Sequence, residues 1–219
     1  MVEGNETMSV LPQKRSPVWG SVNSLRRGAV AKAIAWETDM ERALERANSE
    51  GRHVLVDFFN PGCIGCKQMD AVTYPDKAVV EFIMDSLIPL RLPYESVPYA
   101  ADFSVKWTPT LIILDASGKE QHRLVGFIGP KELIPSLYLG VAKSWFNSER
   151  YDYVSEALER LLKRHPKSHS APEAIFLMAA ATFKSTYDPK PLREAYDKLA
   201  AEFPGHEWTE RAYAYRLIG

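Results

Sequence analysis

Residues 54–66 read VLVDFFNPGCIGC, and this stretch decides the fold that we expect. Its first six residues are β-branched, aliphatic or aromatic apart from Asp57, which indicates a short buried strand. Asn60-Pro61-Gly62 then breaks the strand, and a helix is expected from about Cys63. The sequence therefore predicts a strand–turn–helix unit with a Cys-x-x-Cys motif at the start of the helix.

Cys63 and Cys66 are the only two cysteines of the chain, and their spacing suits redox chemistry. Residues three apart at a helix start lie on the same side, with Cα atoms roughly 5–6 Å apart, as a disulfide requires. The free N–H groups and the dipole at a helix N-terminus favour the thiolate of the first cysteine. We therefore expect Cys63 to attack a substrate disulfide and Cys66 to resolve the mixed disulfide.

The cysteine pair has two alternative roles, as a structural disulfide or as half of a zinc site. A disulfide that closes so short a loop adds little stability through chain entropy. A tetrahedral zinc ion needs about four ligands, and the five histidines show no ligand spacing to one another. We therefore predict redox chemistry, with no metal and no cofactor.

Asp57 lies six residues before Cys63, inside the apolar strand. Burial of a carboxylate is unfavourable and raises its pKa. In a functional role, Asp57 would accept the proton of Cys66 when that thiol attacks. In the alternative role, it would cap a helix or pair with a base at the end of the sheet. We favour the functional role because the cysteines are near.

Pro109 follows Trp107-Thr108 and directly precedes a second apolar strand, predicted over 110–114. A cis Thr108–Pro109 bond would turn the Thr108 backbone toward Cys63 and provide an edge on which an extended substrate could pair. Only ~5% of such bonds are cis, so the residues alone do not assign the isomer.

Composition excludes some classes of function. The 27 basic and 28 acidic side chains nearly cancel, which argues against binding of nucleic acid or of a membrane surface through a basic patch. No run approaches the ~18 apolar residues of a membrane span. The first residues are acidic and polar, without the pattern of a secretory signal. We therefore expect a cytoplasmic protein, in which paired thiols are usually redox-active or metal-binding.

Three regions follow from the changes in pattern along the chain. Residues 1–30 are predicted to be a flexible arm because they lack a sustained apolar period. Over 31–142, helical and strand signals alternate and end in a hairpin and a helix, which predicts an α/β sandwich with a mixed central sheet. Residues 143–219 carry helical signals only.

An internal repeat occurs in this last region. Residues 155–166 align with 193–204 at an offset of 38 residues, and each unit is a helix closed by a proline. A very apolar helix is predicted between them, over 174–183. This pattern is typical of an array of helical hairpins like tetratricopeptide repeats, in which each hairpin buries its face on the next. The alternative is an ordinary helical extension with a chance match.

Together these features resemble the thioredoxin superfamily over about Ile34 to Ala142. The pieces that carry the resemblance are Val54 to Phe59, Cys63 to Lys67, Thr108-Pro109-Thr110 and Gly126-Phe127. Residues 66–69 and 73–76 further resemble the C-terminal thioredoxin domains of thiol:disulfide interchange proteins. The resemblance implies a thioredoxin fold followed by a small all-α domain. It also implies a nucleophile at Cys63, a resolving thiol at Cys66, a buried proton acceptor at Asp57 and a cis Pro109.

The chain departs from thioredoxin itself around the motif. Gly62 stands where thioredoxin has tryptophan, Ile64-Gly65 replace Gly-Pro, and Thr108 replaces an aliphatic residue. We predict that these positions, with Pro109, contact the substrate.

The leading hypothesis is thus a thiol–disulfide oxidoreductase that acts on protein disulfides, receives electrons from a dithiol donor and binds a partner through its helical tail. Two alternatives are an adaptor that works through the tail alone and a sensor whose disulfide state switches tail binding.

Overall fold

The computed structural model describes residues 33–95 and 98–218 of the chain. The arm predicted over 1–30 lies outside these residues. The helices and strands come in the following order: α1 (Met40–Glu50), β1 (His53–Phe59), α2 (Ile64–Gln68), α3 (Lys77–Ser86), β2 (Leu87–Pro93), α4 (Tyr99–Asp102), β3 (Thr110–Leu114), β4 (Glu120–Val125), α5 (Pro130–Asn147), α6 (Tyr151–Arg164), α7 (Ala171–Thr186), α8 (Lys190–Glu202) and α9 (Glu207–Ala212). A π-helical turn, Met69–Thr73, continues α2, and a 3-10 helix, Tyr213–Leu217, follows α9.

The four strands form one mixed sheet in the order β2-β1-β3-β4. β1 pairs with β2 in parallel and with β3 antiparallel, and β3 and β4 form an antiparallel hairpin. The α/β sandwich with a mixed sheet is therefore confirmed. In the register of this sheet, Asp57 lies between Arg91 of β2 and Leu111 of β3.

Both faces of the sheet are covered, which is why β1 is buried along nearly its whole length. Successive side chains of a strand point to opposite faces. Accordingly, Val54, Val56 and Phe58 join the core beneath α1 and α4, whereas Leu55 joins the core beneath α3 and α5. Asp57 has the same parity as Leu55, so it points to the α3–α5 side.

The long helix α5 connects the sheet to the helical region. The domain boundary predicted between 142 and 143 falls inside this helix. Buried residues of α5, such as Leu137, share one continuous core with Leu158 of α6 and Ala174 of α7. The helical region therefore packs directly on the sheet domain through α5.

The two units of the 38-residue repeat found in the sequence also share the backbone geometry at the ends of their helices. The C-cap of α6 is His165 (φ −134, ψ 52), whose N–H bonds to the Leu161 carbonyl. The C-cap of α8 is Phe203 (φ −135, ψ 56), whose N–H bonds to the Leu199 carbonyl. The next turn repeats as well, because the Ser168 and His206 N–H groups bond back to the carbonyls of these two capping residues. The tetratricopeptide assignment stays a prediction.

Candidate active site

Cys63 occupies the N-cap of α2. Its Sγ accepts a hydrogen bond from the Cys66 N–H at 3.2 Å, in the way that a capping side chain satisfies a free backbone donor. The thiol also lies 3.1 Å from the Thr108 carbonyl, to which it donates. Cys63 is partly exposed and Cys66 is buried, and both are free thiols.

The two thiols differ in acidity. Burial raises the pKa of Cys63, but hydrogen bonds from the Cys66 thiol and from the backbone N–H groups of Cys66 and Gly65 outweigh this effect, so the pKa is lowered from its ordinary value. Burial and the hydrogen bond with Cys63 raise the pKa of the Cys66 thiol to about 11. Cys63 is therefore the thiol that is both accessible and more easily ionised, as a nucleophile requires.

The turn before α2 is held by Asn60, which sequence reasoning did not select as a site residue. Its Oδ1 accepts the Gly62 N–H at 2.8 Å, and its carbonyl accepts the Cys63 N–H at 3.0 Å. Such side-chain-to-backbone bonds are the usual contribution of asparagine to a turn. The Asn60-Pro61-Gly62 signal was present in the sequence, but it was used only to end the strand.

The Thr108–Pro109 peptide is cis, as the resemblance implied. Pro109 is buried directly against α2: a Cβ on Gly65 would lie 2.9 Å from the Pro109 Cδ. This approach is closer than carbon atoms tolerate, so it explains why Gly65 has no side chain. The structure thus brings Gly65, Thr108 and Pro109 together beside Cys63.

Ile64 and Gly62 are exposed on the same end of the domain, and the side chain of Ile64 is 75% accessible. Trp107 and Phe127 are also large, apolar and exposed, at 69% and 44%. Sequence reasoning did not select Trp107, because exposure cannot be read from an isolated aromatic residue. Contact of these residues with a substrate stays a prediction.

Asp57 is buried, and the structure pairs it with a base. The Arg91 Nε lies 3.0 Å from the Asp57 Oδ2. Burial raises the pKa of Asp57 to about 6, although the charge of Arg91 opposes the rise. The pairing with a base that we weighed as an alternative is therefore present. The role of Asp57 as proton acceptor for Cys66 stays a prediction.

Arg91 is a residue that sequence reasoning missed. Its guanidinium also pairs with Asp70 at 2.8 and 3.1 Å and lies 4.4 Å from the centre of the Phe59 ring. The sequence did contain a signal for it, because Arg91 is a charged residue within the apolar run that forms β2. Only the parallel register of β1 and β2, however, places Arg91 opposite Asp57.

Neither a metal site nor a membrane span is found in the part of the chain that the structure describes. Over residues 33–95 and 98–218, no group of three or more His, Cys, Asp or Glu side chains could hold a metal ion. Within the same residues, no helix has the length and apolar character needed to cross a bilayer.

Comparisons with known proteins agree with this geometry. The family model described as a thioredoxin-like domain matches residues 40–138. The thiol:disulfide interchange protein DsbD of Pseudoalteromonas atlantica is 30% identical over 96 residues, which are 41% of this chain and 16% of that protein. DsbD of Ralstonia nicotianae is 29% identical over 128 residues, which are 54% of this chain and 21% of that protein.

Among solved structures, the oxidised C-terminal domain of Neisseria meningitidis DsbD is similar at 19% identity and a TM-score of 0.39, covering 52% of this chain and 98% of that one. The chain spans about a fifth of the length of the curated relatives that it matches. Residues 40–138 therefore match a thioredoxin-like domain and have the thioredoxin fold, and several helices follow it.

Proposed function

We propose that the protein is a dithiol–disulfide oxidoreductase that acts on protein disulfides and contributes to redox homeostasis. The observation that carries the proposal is the position of Cys63. Its sulfur caps α2, accepts the Cys66 N–H at 3.2 Å and is partly exposed, whereas the Cys66 thiol is buried. A low-pKa, accessible thiol next to a buried resolving thiol is the arrangement that disulfide exchange requires.

The reaction begins when the Cys63 thiolate attacks one sulfur of a substrate disulfide. A Cys63–substrate disulfide forms, the substrate S–S bond breaks, and the departing sulfur takes up a proton. Cys66 then loses its proton and attacks the Cys63 sulfur, which forms the Cys63–Cys66 disulfide and releases the second substrate thiol. The substrate has gained two electrons and two protons. A dithiol donor must then reduce the Cys63–Cys66 pair for the next turnover.

Reduction of insulin disulfides with dithiothreitol as donor tests this activity. We expect turbidity from the released insulin chain to develop faster with the protein than without it, and the gain to be lost in Cys63→Ser. Activity equal to that of Cys63→Ser would overturn the proposal.

Trapping identifies the substrate. In Cys66→Ser the mixed disulfide cannot be resolved, so it should accumulate and be separable by mass after alkylation. Cys63→Ser is the matched control, and it should trap no protein through the same site.

We further infer that the helical region binds a protein partner. Its helices α6 and α8 end with the same cap geometry, and Tyr187 and Leu217 are among the most exposed large apolar side chains. Because residue 143 lies inside α5, the test is a surface change and not a deletion. Tyr187→Ala should weaken capture of a trapped partner without changing insulin reduction. We also propose that the protein is located in the cytoplasm.

A further inference from the structure

The loop between β4 and α5, residues 126–129, lies against two parts of the site. The Gly126 N–H donates to the Pro109 carbonyl at 2.8 Å. A Cβ on Gly65 would lie 3.8 Å from the Phe127 backbone nitrogen. Phe127 is thus next to both the Cys-x-x-Cys helix and the segment that follows Thr108, with its ring partly exposed.

The other side of this loop is held at Ile128 by two buried side chains. The Thr73 hydroxyl donates to the Ile128 carbonyl at 2.7 Å. The Ile128 N–H in turn donates to the Met69 Sδ at 3.4 Å. Both backbone polar groups of Ile128 are therefore satisfied by side chains of one turn, and neither Met69 nor Thr73 has any exposed surface.

The π-helical turn explains why these two side chains reach the same residue. The Tyr74 N–H bonds to the Met69 carbonyl at 2.9 Å, five residues back. Met69 and Thr73 are the first and last residues of this turn, and their spacing of four residues puts both side chains on one face, toward the loop. Insertions of this kind inside α-helices are frequent at functional sites.

We infer that Met69 and Thr73 are positioning residues that hold Phe127 in place for the docking of a protein disulfide beside Cys63. The inference rests on the proposed function. Gly126 is fixed from one side by Pro109 and Ile128 from the other by the π-helical turn, so Phe127 is held between two anchored neighbours. When a partner binds an apolar ring that is already held in place, less conformational entropy is lost than when the ring must first be ordered.

The test compares Thr73→Val with Thr73→Ser in the full-length protein. Valine has the shape of threonine and lacks the hydroxyl, whereas serine retains it. With insulin as the protein disulfide, we expect Thr73→Val to raise KM about three- to tenfold, the effect of one net hydrogen bond. We expect kcat to change little and Thr73→Ser to restore KM. With hydroxyethyl disulfide, which has no protein surface to dock against Phe127, the rate should change less than it does with insulin.

Thr209→Val is the matched control. Thr209 is also a buried threonine, and its hydroxyl donates to the Phe203 carbonyl at 2.7 Å, but it lies in the helical region. If loss of such a bond acts only through stability, the two valine variants should change KM equally.

A second readout is the double-mutant cycle with Phe127→Ala. If Thr73 acts through Phe127, then Thr73→Val should have little further effect on KM once the ring is gone. Met69→Leu, which preserves volume but removes the sulfur acceptor, takes the place of Thr73→Val should the latter not fold.

Three results would overturn the inference: an unchanged KM in the folded variant, an equal effect in Thr209→Val, or full additivity with Phe127→Ala. If the wild-type protein did not reduce insulin at all, the proposed function itself would be refuted. A failure of the inference can therefore be told apart from a failure of the proposed function.

Discussion

Buried ionisable side chains make opposite contributions to the pH dependence of stability in this protein. Burial raises the pKa of Asp57 to about 6 and lowers the pKa of His53 to about 4. Both shifts disfavour the charged form, which is the general effect of taking an ionisable group out of water. The two groups titrate over overlapping ranges, so substitutions are needed to separate them.

Asp57→Asn should flatten the pH dependence of stability above about pH 4. The folded pKa of about 6 exceeds the ordinary 3.8, so the folded state binds more protons between these values. Stability from this group is present at acid pH and is lost as pH rises through 6, by about 3 kcal/mol in all and about 2 kcal/mol between pH 4.5 and pH 7.5. Urea unfolding at pH 4.5 and 7.5 measures it. An equal change in wild type and Asp57→Asn would contradict the assignment.

His53→Gln should reduce the loss of stability that occurs as the pH falls, whereas Asp57→Asn reduces the loss that occurs as the pH rises. His53 hydrogen-bonds through Nε2 to the Ser144 Oγ at 2.8 Å and is neutral in the fold. Because its folded pKa of about 4 lies below the ordinary 6.5, stability is present above pH 6.5 and is lost as pH falls toward 4, by about 3 kcal/mol. The variant should therefore lose less stability than the wild type between pH 7 and pH 4.5 in urea unfolding.

Local signals were sufficient to place most helices and strands. The N-cap of α1 is Asp39, whose side chain accepts the Arg42 N–H at 2.8 Å, and Gly51 ends α1 with φ +66. Caps and glycine ends depend on a few neighbouring residues, and that is why they can be read from a single sequence. The π-helical turn after α2 was not predicted, because its single extra residue per turn leaves the apolar pattern almost unchanged.

The close contact between α5 and the sheet gives a prediction at Gly140. A Cβ there would lie 2.9 Å from both the His122 Cδ2 and the Ile113 Cγ1. Gly140→Ala should therefore destabilise the protein by about 1–3 kcal/mol through overpacking, even though alanine is the better helix former. Chemical denaturation measures the loss, with Lys131→Ala at an exposed position of the same helix as control. A more stable Gly140→Ala variant would show that α5 can move away from the sheet.

The sheet domain and the helical region share one core across the predicted boundary. The turn between α6 and α7 also lies against the first turns of α5: the His169 N–H donates to the Glu132 Oε2 at 3.0 Å, and the Ser136 and Ser170 hydroxyls lie 3.3 Å apart. The first turns of α5, the helix that follows the Phe127 loop, are thus held by the turn between α6 and α7.

Truncation after Asn147 should consequently weaken the thioredoxin-like domain. It would expose apolar residues on the face of α5 that carries Ser136 and Lys143, such as Leu139 and Phe146, which now pack in the shared core. Exposing several such side chains removes roughly 1.5–3 kcal/mol for each, so we expect a lower denaturation midpoint. Truncation after Thr186 is the control and should have a smaller effect on this core. Equal midpoints for the full chain and the 147-residue form would refute a shared core.

The amino-acid sequence determined the strand–turn–helix unit, the Cys-x-x-Cys spacing of Cys63 and Cys66 and the helical repeat, because each depends on residues close together along the chain. The tertiary structure alone decided that Arg91 pairs with Asp57, that Thr73 holds Ile128 across a separation of 55 residues, and that α5 belongs to both halves of the molecule. These contacts join distant segments, so they exist only once strand order and helix packing are fixed.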